Sequence, residues 1–212
     1  MPLQNRVLPT GQIVANPARG TFTGNRGIIH RIDQTLGASR WSHHAWICCT
    51  LEWQGRKRPV MTGRKWTELF FLDEAVALAA GHRPCAYCRR ADYNRFVAAW
   101  TQATGHQPKA PQMDKALHAA RVRSQDRAQV THQADIAMLP AGAFIAWNNR
   151  PHLLGPTTQH PYTPAAYAAP LPRPTSGTVT VLTPAPMIAA LQAGYTAALH
   201  PTATIDLSGP TA

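Results

Sequence analysis

Apolar and polar residues alternate along the segment "SHHAWICCTLEW", residues 42 to 53, which predicts a β-strand. One face of this strand would carry Cys49 among apolar residues, and the other face would carry Cys48. The apolar stretches at residues 58 to 63 and 66 to 72 predict two further short strands. The first half of the chain is therefore expected to contain a small sheet.

Cap and stop residues mark the predicted helices. Asp73 is a favourable N-cap for a short helix over residues 74 to 80, and Gly81 is a favourable stop. A longer helix is predicted from about residue 85 to residue 103, because apolar residues recur there at helical spacing. The segment from residue 111 to residue 127 predicts a second long helix.

The composition changes near residue 130, which indicates two units. Residues 1 to 40 show no clear period and are expected to be irregular, whereas twelve of the 19 prolines follow residue 130, with short strand-like stretches between them. A helix is expected there after the cap Thr183. The predicted fold is α+β: a small N-terminal α/β module with two longer helices over residues 1–130, and a small β-rich C-terminal unit with one helix over residues 131–212.

The positive charge of the chain is confined to the N-terminal module. Residues 1–130 contain 19 of the 21 Lys and Arg and 8 of the 10 Asp and Glu, so they carry the whole net charge of +11. A one-sided positive field is typical of proteins that bind nucleic acid, and DNA is the expected partner. The candidate contact residues are basic positions in predicted turns and beside the cysteines: Arg26, Arg31, Arg56, Lys57, Arg58, Arg64, Lys65, Arg89 and Arg90.

The sequence favours a cytoplasmic protein with reduced thiols. It contains no run of about 18 apolar residues that would predict a membrane span, and its first residues lack the apolar core of a secretion signal. In a reducing compartment, four cysteines indicate a metal site or catalysis before they indicate disulfides.

The segment "LAAGHRPCAYCRRADY" places Cys85 and Cys88 at Cys-x-x-Cys spacing at the entry to a predicted helix. Such a pair at a turn supplies two of the four ligands of a tetrahedral zinc ion. The helix N-terminus and the neighbouring arginines would favour the thiolate form. We therefore predict a zinc-stapled N-terminal module.

The other two cysteines, Cys48 and Cys49, are adjacent, and adjacent residues of a regular strand point to opposite faces. Only one of them is expected to reach the metal, and Cys49 is favoured because its face carries the inward apolar pattern. His82, His43, His44 or water would complete the site. The alternative is that all four cysteines are small buried hydrophobic residues without a metal.

The stretch "TELFFLDEAVALAAGHRPCAYCRR" resembles the C-terminal half of the Ada-type zinc-binding module of bacterial alkylation-repair proteins. The resemblance rests on a strand with two phenylalanines, a short helix that ends in Ala-Gly, and the corner Arg83-Pro84-Cys85-x-x-Cys88, and it covers roughly residues 45 to 92. It implies transfer of a methyl group from a DNA phosphotriester to one thiolate. It also implies that zinc is bound by four cysteines, which here are Cys48, Cys49, Cys85 and Cys88. The chain departs from the family in its adjacent upstream cysteines and in His82, where the family usually has an aromatic residue.

These features favour a zinc-binding, DNA-interacting protein in DNA repair or genome defence. A nuclease or glycosylase with an accessory zinc site is one alternative, and its candidate catalytic groups are Asp33, Glu52, Glu68, Asp73, Glu74 and Asp114, with His30 or His118. Glu68 is the most suggestive of these, and Cys49 is a further candidate catalytic residue of the chain. Glu68 is acidic and lies in an apolar stretch near the cysteine corner. Four tryptophans among the basic residues are candidates for stacking on exposed bases, namely Trp41, Trp46, Trp53 and Trp66.

Two further alternatives stay open. The motif "PCAYC" matches half of the signature of nucleobase deaminases, although the sequence lacks the His-x-Glu or Cys-x-Glu half that supplies the proton carrier. In the last alternative the chain is a non-catalytic zinc-stapled adaptor whose residues 131–212 bind a protein partner.

Overall fold

Six short strands from the N-terminal part of the chain form one sheet. They are β1 Gln4–Val7, β2 Ile13–Ala15, β3 Phe22–Asn25, β4 Ile47–Thr50, β5 Leu69–Phe71 and β6 Arg83–Pro84. The computed structural model describes residues 1–55, 59–63, 65–205 and 207, and within them the strand order is β2-β1-β5-β3-β4-β6. The expectation that residues 1–40 are irregular is wrong, because β1, β2 and β3 lie there. Strands of three or four residues are too short to show a period of two in the sequence.

The strand predicted at residues 58 to 63 is absent from the part of this segment that the structure describes, residues 59–63. Residues 59–63 contain turns and no strand, and Met61 has a φ of +52°. The backbone N–H of Met61 donates to the side chain of Glu68 instead of to a neighbouring strand. The strand predicted at residues 66 to 72 is confirmed as β5.

The structure describes four α-helices, which are α1 Glu74–Ala79, α2 Arg90–Thr104, α3 Ala110–Arg121 and α4 Ala185–Gln192. The predicted cap of α1 is confirmed, since the Asp73 carboxylate accepts a hydrogen bond from the backbone N–H of Val76 at 3.0 Å. Helix α2 begins later than predicted because residues 86–89 form turns at the cysteine corner. Among the described residues, no helix has both the length and the apolar character that crossing a lipid bilayer requires.

Among the described residues after position 130, six strands form a second sheet, in which the strand pairs are antiparallel. They are β7 His132–Asp135, β8 Phe144–Trp147, β9 Arg150–Leu154, β10 Thr158–Pro161, β11 Leu171–Pro172 and β12 Thr178–Val181, in the order β11-β10-β9-β8-β12-β7. Helix α4 lies where the sequence predicted it, but Pro184 is its N-cap, and the predicted cap Thr183 instead accepts a hydrogen bond from the backbone N–H of Phe144 at 2.8 Å. Two sheets and four helices make a mixed α+β fold, which confirms the predicted fold class.

Helix α1 and its cap connect the two parts of the molecule. All residues of α1 are buried, and the helix contacts both β5 and β8. The Asp73 carboxylate accepts a hydrogen bond from the Tyr167 hydroxyl at 2.8 Å, and the Glu74 carboxylate accepts one from the Tyr195 hydroxyl at 2.5 Å. The hydrophobic core is continuous across residue 130. The division of the chain into residues 1–130 and 131–212 stays a prediction, although each sheet falls on one side of this position.

Candidate metal centre and adjoining cavity

Backbone hydrogen bonds hold the cysteine corner beside strand β4. The strand predicted at residues 42 to 53 is present as β4, and β4 pairs in parallel with β6, which directly precedes Cys85. The backbone N–H of Cys85 donates to the carbonyl of Cys48 at 2.9 Å. This pairing places the side chain that follows Cys48 next to the corner.

Three of the four cysteines converge on one point. The Sγ atoms of Cys49, Cys85 and Cys88 all lie within 4.8 Å of one another. Thiolates on a tetrahedral zinc ion lie about 3.8 Å apart, given a Zn–S bond of about 2.3 Å. Only small shifts would therefore bring all three sulfurs to bonding distance of one ion. This group could hold a metal ion, and its three sulfurs leave one tetrahedral position to another ligand.

The three thiols do not titrate alike. Hydrogen bonds from the thiols of Cys49 and Cys88 lower the pKa of Cys85 to about 2. Hydrogen bonds with Cys85 and Cys88 raise the pKa of Cys49. The backbone N–H of Tyr87 also donates to the Sγ of Cys85 at 3.4 Å. The corner thus stabilises one thiolate, and a bound cation would stabilise the ionised form of the other two thiols.

Cys48 lies outside this group, on the opposite face of β4. It is fully buried, and its Sγ atom is 3.5 Å from the Nη1 atom of Arg89. Burial raises the pKa of Cys48, which keeps it a neutral thiol. Of the four cysteines that the resemblance implies as ligands, the structure therefore brings together Cys49, Cys85 and Cys88. The alternation of side chains along a strand accounts for the position of Cys48.

The histidines considered for the fourth position lie elsewhere. His82 is buried against Trp46, and its Nε2 atom accepts a hydrogen bond from the Nε of Arg26 at 3.3 Å. His43 and His44 are exposed. Within the described parts of the chain, no histidine or carboxylate joins the three cysteines in a common metal-ligating group.

A cavity of about 560 Å³ adjoins the cysteines. The indole N–H of Trp53, which lines it, is buried and has no hydrogen-bond partner among the described residues. The rings of Trp53 and Tyr87 lie 5.6 Å apart between centroids.

The sequence prediction missed Tyr87, which is 65% exposed. The sequence did contain a sign of its role, because Tyr87 is an aromatic residue between the two candidate metal ligands Cys85 and Cys88. The aromatic residues of the lining are Trp53, Trp66, Phe70 and Tyr87.

Glu68 lines the same cavity as the three cysteines. It is only 5% exposed, and its Oε2 atom accepts a hydrogen bond from the backbone N–H of Met61 at 2.6 Å. Glu68 directly precedes β5, and β3 lies between β5 and β4 in the sheet. This strand order places both candidate catalytic residues, Glu68 and Cys49, at one cavity.

The basic residues predicted to contact nucleic acid differ in their exposure. Arg31, Lys65 and Arg90 are exposed, whereas Arg26 and Arg89 are buried. Arg89 forms ion pairs with Glu74 at 2.8 Å and with Asp92 at 2.7 Å, so its charge is neutralised inside the protein. The remaining predicted contacts fall outside the described residues, namely Arg56, Lys57, Arg58 and Arg64.

Comparison with protein-family models, with curated proteins and with solved structures finds no match to this chain. The functional proposal therefore rests on the chemistry of the site and on the distribution of charge.

Proposed function

We propose that this protein binds zinc through Cys49, Cys85 and Cys88 and acts on DNA, in repair or genome defence. The observation that carries the proposal is the convergence of three thiols beside an aromatic cavity in the basic part of the chain. The resemblance of residues 45 to 92 to Ada-type modules points in the same direction.

The donor set favours zinc with an open ligand position. Cysteine thiolates select zinc, copper(I) and iron–sulfur clusters, and a Cys-x-x-Cys corner beside a helix is a common zinc site. Structural zinc sites are closed by four protein ligands, whereas catalytic sites have three and leave the fourth for water or substrate. The described residues supply three sulfurs. A site that binds or transforms a ligand is therefore favoured over a purely structural one.

The cavity is suited to an unpaired nucleobase. Aromatic side chains stack on bases of any sequence, and enzymes that act on a base first take it out of the duplex. The unpartnered indole N–H of Trp53 is a donor for the acceptor atoms of such a base. Arg31, Lys65 and Arg90 are exposed cations of the same basic module and are candidates for phosphate contacts along the strand.

A second candidate is hydrolytic deamination of a base, which the position of Glu68 favours. Zinc deaminases combine three zinc ligands with a glutamate that is not a ligand. The sequence lacks the local motif, but the fold brings Glu68 to the cavity that contains the cysteines. In this reaction water adds to the ring carbon that bears the amino group, Glu68 carries one water proton to the adjacent ring nitrogen and the other to the amino group, and ammonia leaves as the carbonyl forms.

Mass analysis of both partners after incubation distinguishes these reactions. Reduced protein would be mixed with DNA that contains phosphotriesters, unpaired cytosine or adenine, or abasic sites. A methyl group gained by the protein indicates transfer, an amino group exchanged for a carbonyl in the DNA indicates deamination, and a shortened strand indicates cleavage. Each reaction should disappear in Cys85→Ser. A wild-type protein that is folded, reduced and free of metal by elemental analysis would overturn the proposal.

The DNA part of the proposal has its own test. Affinity for single-stranded DNA should fall steeply with salt, because phosphate contacts release counterions. Lys65→Gln and Arg90→Gln should each reduce the slope of log K against log salt by about 0.7. Arg150→Gln is the matched control, since Arg150 is exposed in the second sheet, outside the basic module. A salt-independent affinity, or an equal effect of all three variants, would contradict this part of the proposal.

A further inference from the structure

A second cavity, of about 470 Å³, lies elsewhere in the N-terminal part of the chain and shares no lining residue with the cysteine cavity. Among the described residues that line it, none is acidic. Its polar lining consists mainly of arginine and glutamine side chains: Arg26, Arg40, Arg121, Arg127, Gln4, Gln12 and Gln129.

Arg26 and Arg121 form the positively charged wall of this cavity. Each is only 2% exposed, and their Cζ atoms lie 4.0 Å and 3.8 Å from the centroid of the Trp46 ring. Within the described residues, neither guanidinium forms an ion pair with a carboxylate. Asp114 lies on the same helix as Arg121, but Arg83 binds both of its oxygens, at 2.8 Å and 2.9 Å. Buried cations without an anionic partner are rare in folded proteins.

The hydrogen bonds of the two arginines go to neutral groups. Arg121 donates to the carbonyls of Gly81 at 2.8 Å and His44 at 2.7 Å, and its buried Nε has no partner among the described residues. Arg26 donates to the carbonyl of Gly11 at 3.1 Å and to the ring of His82. Burial lowers the pKa of Arg121 to about 8 and that of Arg26 to about 9, so both are still cations at neutral pH. Among the described residues no carboxylate pairs with either guanidinium, and the charge of Asp114 offsets that of Arg121 only in part.

We infer that this cavity binds the phosphate group of a nucleotide-sized ligand, with Arg26 and Arg121 against the phosphate and Arg40 and Arg127 at the rim. Planar guanidinium groups match phosphate oxygens in pairs, and a buried anion would supply the missing counter-charge. The volume of the cavity lies in the range of small-molecule sites, which is larger than one phosphate group needs. The phosphate belongs to a free nucleotide or to the end of a DNA strand. The site does not depend on the metal centre.

Isothermal titration at constant ionic strength tests the inference and separates the two sources. The ligands are inorganic phosphate, a nucleoside 5′-monophosphate, the parent nucleoside, and an oligonucleotide with and without a 5′-phosphate. Saturable binding is expected for the phosphorylated compounds and not for the nucleoside. Tighter binding of the 5′-phosphorylated strand than of both the same strand without the 5′-phosphate and the mononucleotide assigns the site to a DNA end, and tightest binding of the mononucleotide assigns it to a free nucleotide. Absence of saturable binding by every phosphorylated compound would overturn the inference.

Substitutions at the rim leave the buried pair in place. Arg40→Gln and Arg127→Gln should each weaken phosphate binding by about 3- to 10-fold. Arg121→Lys keeps the charge but loses the paired N–H donors of the planar guanidinium, so it should weaken binding by about 10-fold or more. Circular dichroism would check the folding of Arg121→Lys. If Arg121→Lys does not fold, the phosphate affinities of Arg40→Gln and Arg127→Gln alone test the inference. Arg95→Gln is the control, since Arg95 is exposed on α2 and does not line the cavity.

Cys85→Ser separates this site from the metal centre. Phosphate binding should be unchanged in this variant, because the two cavities share no residue. Loss of phosphate binding in Cys85→Ser, together with normal binding in the arginine variants, would place the phosphate on the metal and contradict the inference. Failure of zinc binding alone would leave the phosphate site as it is.

Discussion

The guanidinium of Arg89 lies 2.8 Å from the carboxylate of Glu74, and both groups are buried. Arg89 directly follows the Cys85–Cys88 corner, whereas Glu74 begins helix α1. The same carboxylate accepts hydrogen bonds from the Tyr195 hydroxyl at 2.5 Å and from the backbone N–H of Ala198 at 2.9 Å. This buried ion pair therefore links the candidate metal centre to the C-terminal part of the chain.

Removal of the Glu74 charge should destabilise the whole protein. In Glu74→Gln, Arg89 would stay buried with only the partly exposed Asp92 as a counter-charge, and breaking a buried ion pair in this way costs about 3 kcal/mol. Urea unfolding measures the change in free energy. The control is Asp126→Asn, which breaks the ion pair that exposed Arg123 forms with Asp126 at 2.6 Å and should leave the unfolding free energy unchanged. Equal losses in both variants would contradict a special role for the buried pair.

The two adjacent cysteines should respond differently to substitution. Cys49→Ala should lose the metal, because Cys49 contributes one of the three converging sulfurs. Cys48→Ala should keep it, because Cys48 lies on the opposite face of the strand beside Arg89. Elemental analysis of the two reduced, purified variants measures the metal content. A greater loss in Cys48→Ala than in Cys49→Ala would show that the other face of β4 binds the metal.

Local signals in the sequence were sufficient for the cap at Asp73 and for the alternation that places Cys49, and not Cys48, beside Cys85 and Cys88. A cap depends on residues within one turn, and side-chain alternation depends only on the strand itself. The position of Glu68 beside the cysteines was not predictable, because it depends on the order β5-β3-β4 in the sheet. The burial of Arg26 and Arg89 was also not predictable. An arginine near basic residues in sequence gives no sign of whether tertiary packing covers it or leaves it in water.

Glu68→Gln should separate chemistry from metal binding. The amide oxygen of glutamine still accepts the hydrogen bond from the backbone N–H of Met61, so the fold and the metal content should be unchanged. A glutamine cannot carry a proton, so deamination should slow by about 10²- to 10⁴-fold. The rate would be measured by mass analysis of the DNA product, with metal content determined on the same sample. A deamination rate equal to that of the wild type would exclude Glu68 as the proton carrier.

His82 should make the protein sensitive to mild acid. Burial, followed by the charges of Arg26 and Arg121, lowers the pKa of His82 well below its usual value of 6.5. Below pH 6.5 the unfolded chain therefore takes up a proton that the folded protein excludes. His82 alone should reduce stability by up to about 1.4 kcal/mol for each pH unit below 6.5 and have no effect above it.

The measurement compares the wild type with His82→Gln, which does not titrate, both loaded with metal so that loss of the metal affects them alike. The unfolding free energy of the variant should fall less steeply between pH 6.5 and pH 5. Parallel curves for the two proteins would mean that other groups cause the acid sensitivity. His118 is one such group, because burial lowers its pKa to about 4.

Gly81 should be essential for the arginine cavity. Its φ is +80°, and a Cβ atom there would overlap the side chain of Arg121, which is fixed by hydrogen bonds to the carbonyls of Gly81 and His44. In Gly81→Ala the free energy of unfolding should therefore fall by roughly 1–2 kcal/mol, because alanine is strained in the left-handed conformation. It should fall further because the guanidinium of Arg121 is displaced. Gly105→Ala is a close control, since Gly105 has a φ of +77° but open space around its Cα. Thermal unfolding would compare the two variants, and phosphate titration would follow the cavity. If Gly81→Ala binds phosphate as well as Gly105→Ala does, the position of Arg121 does not determine binding.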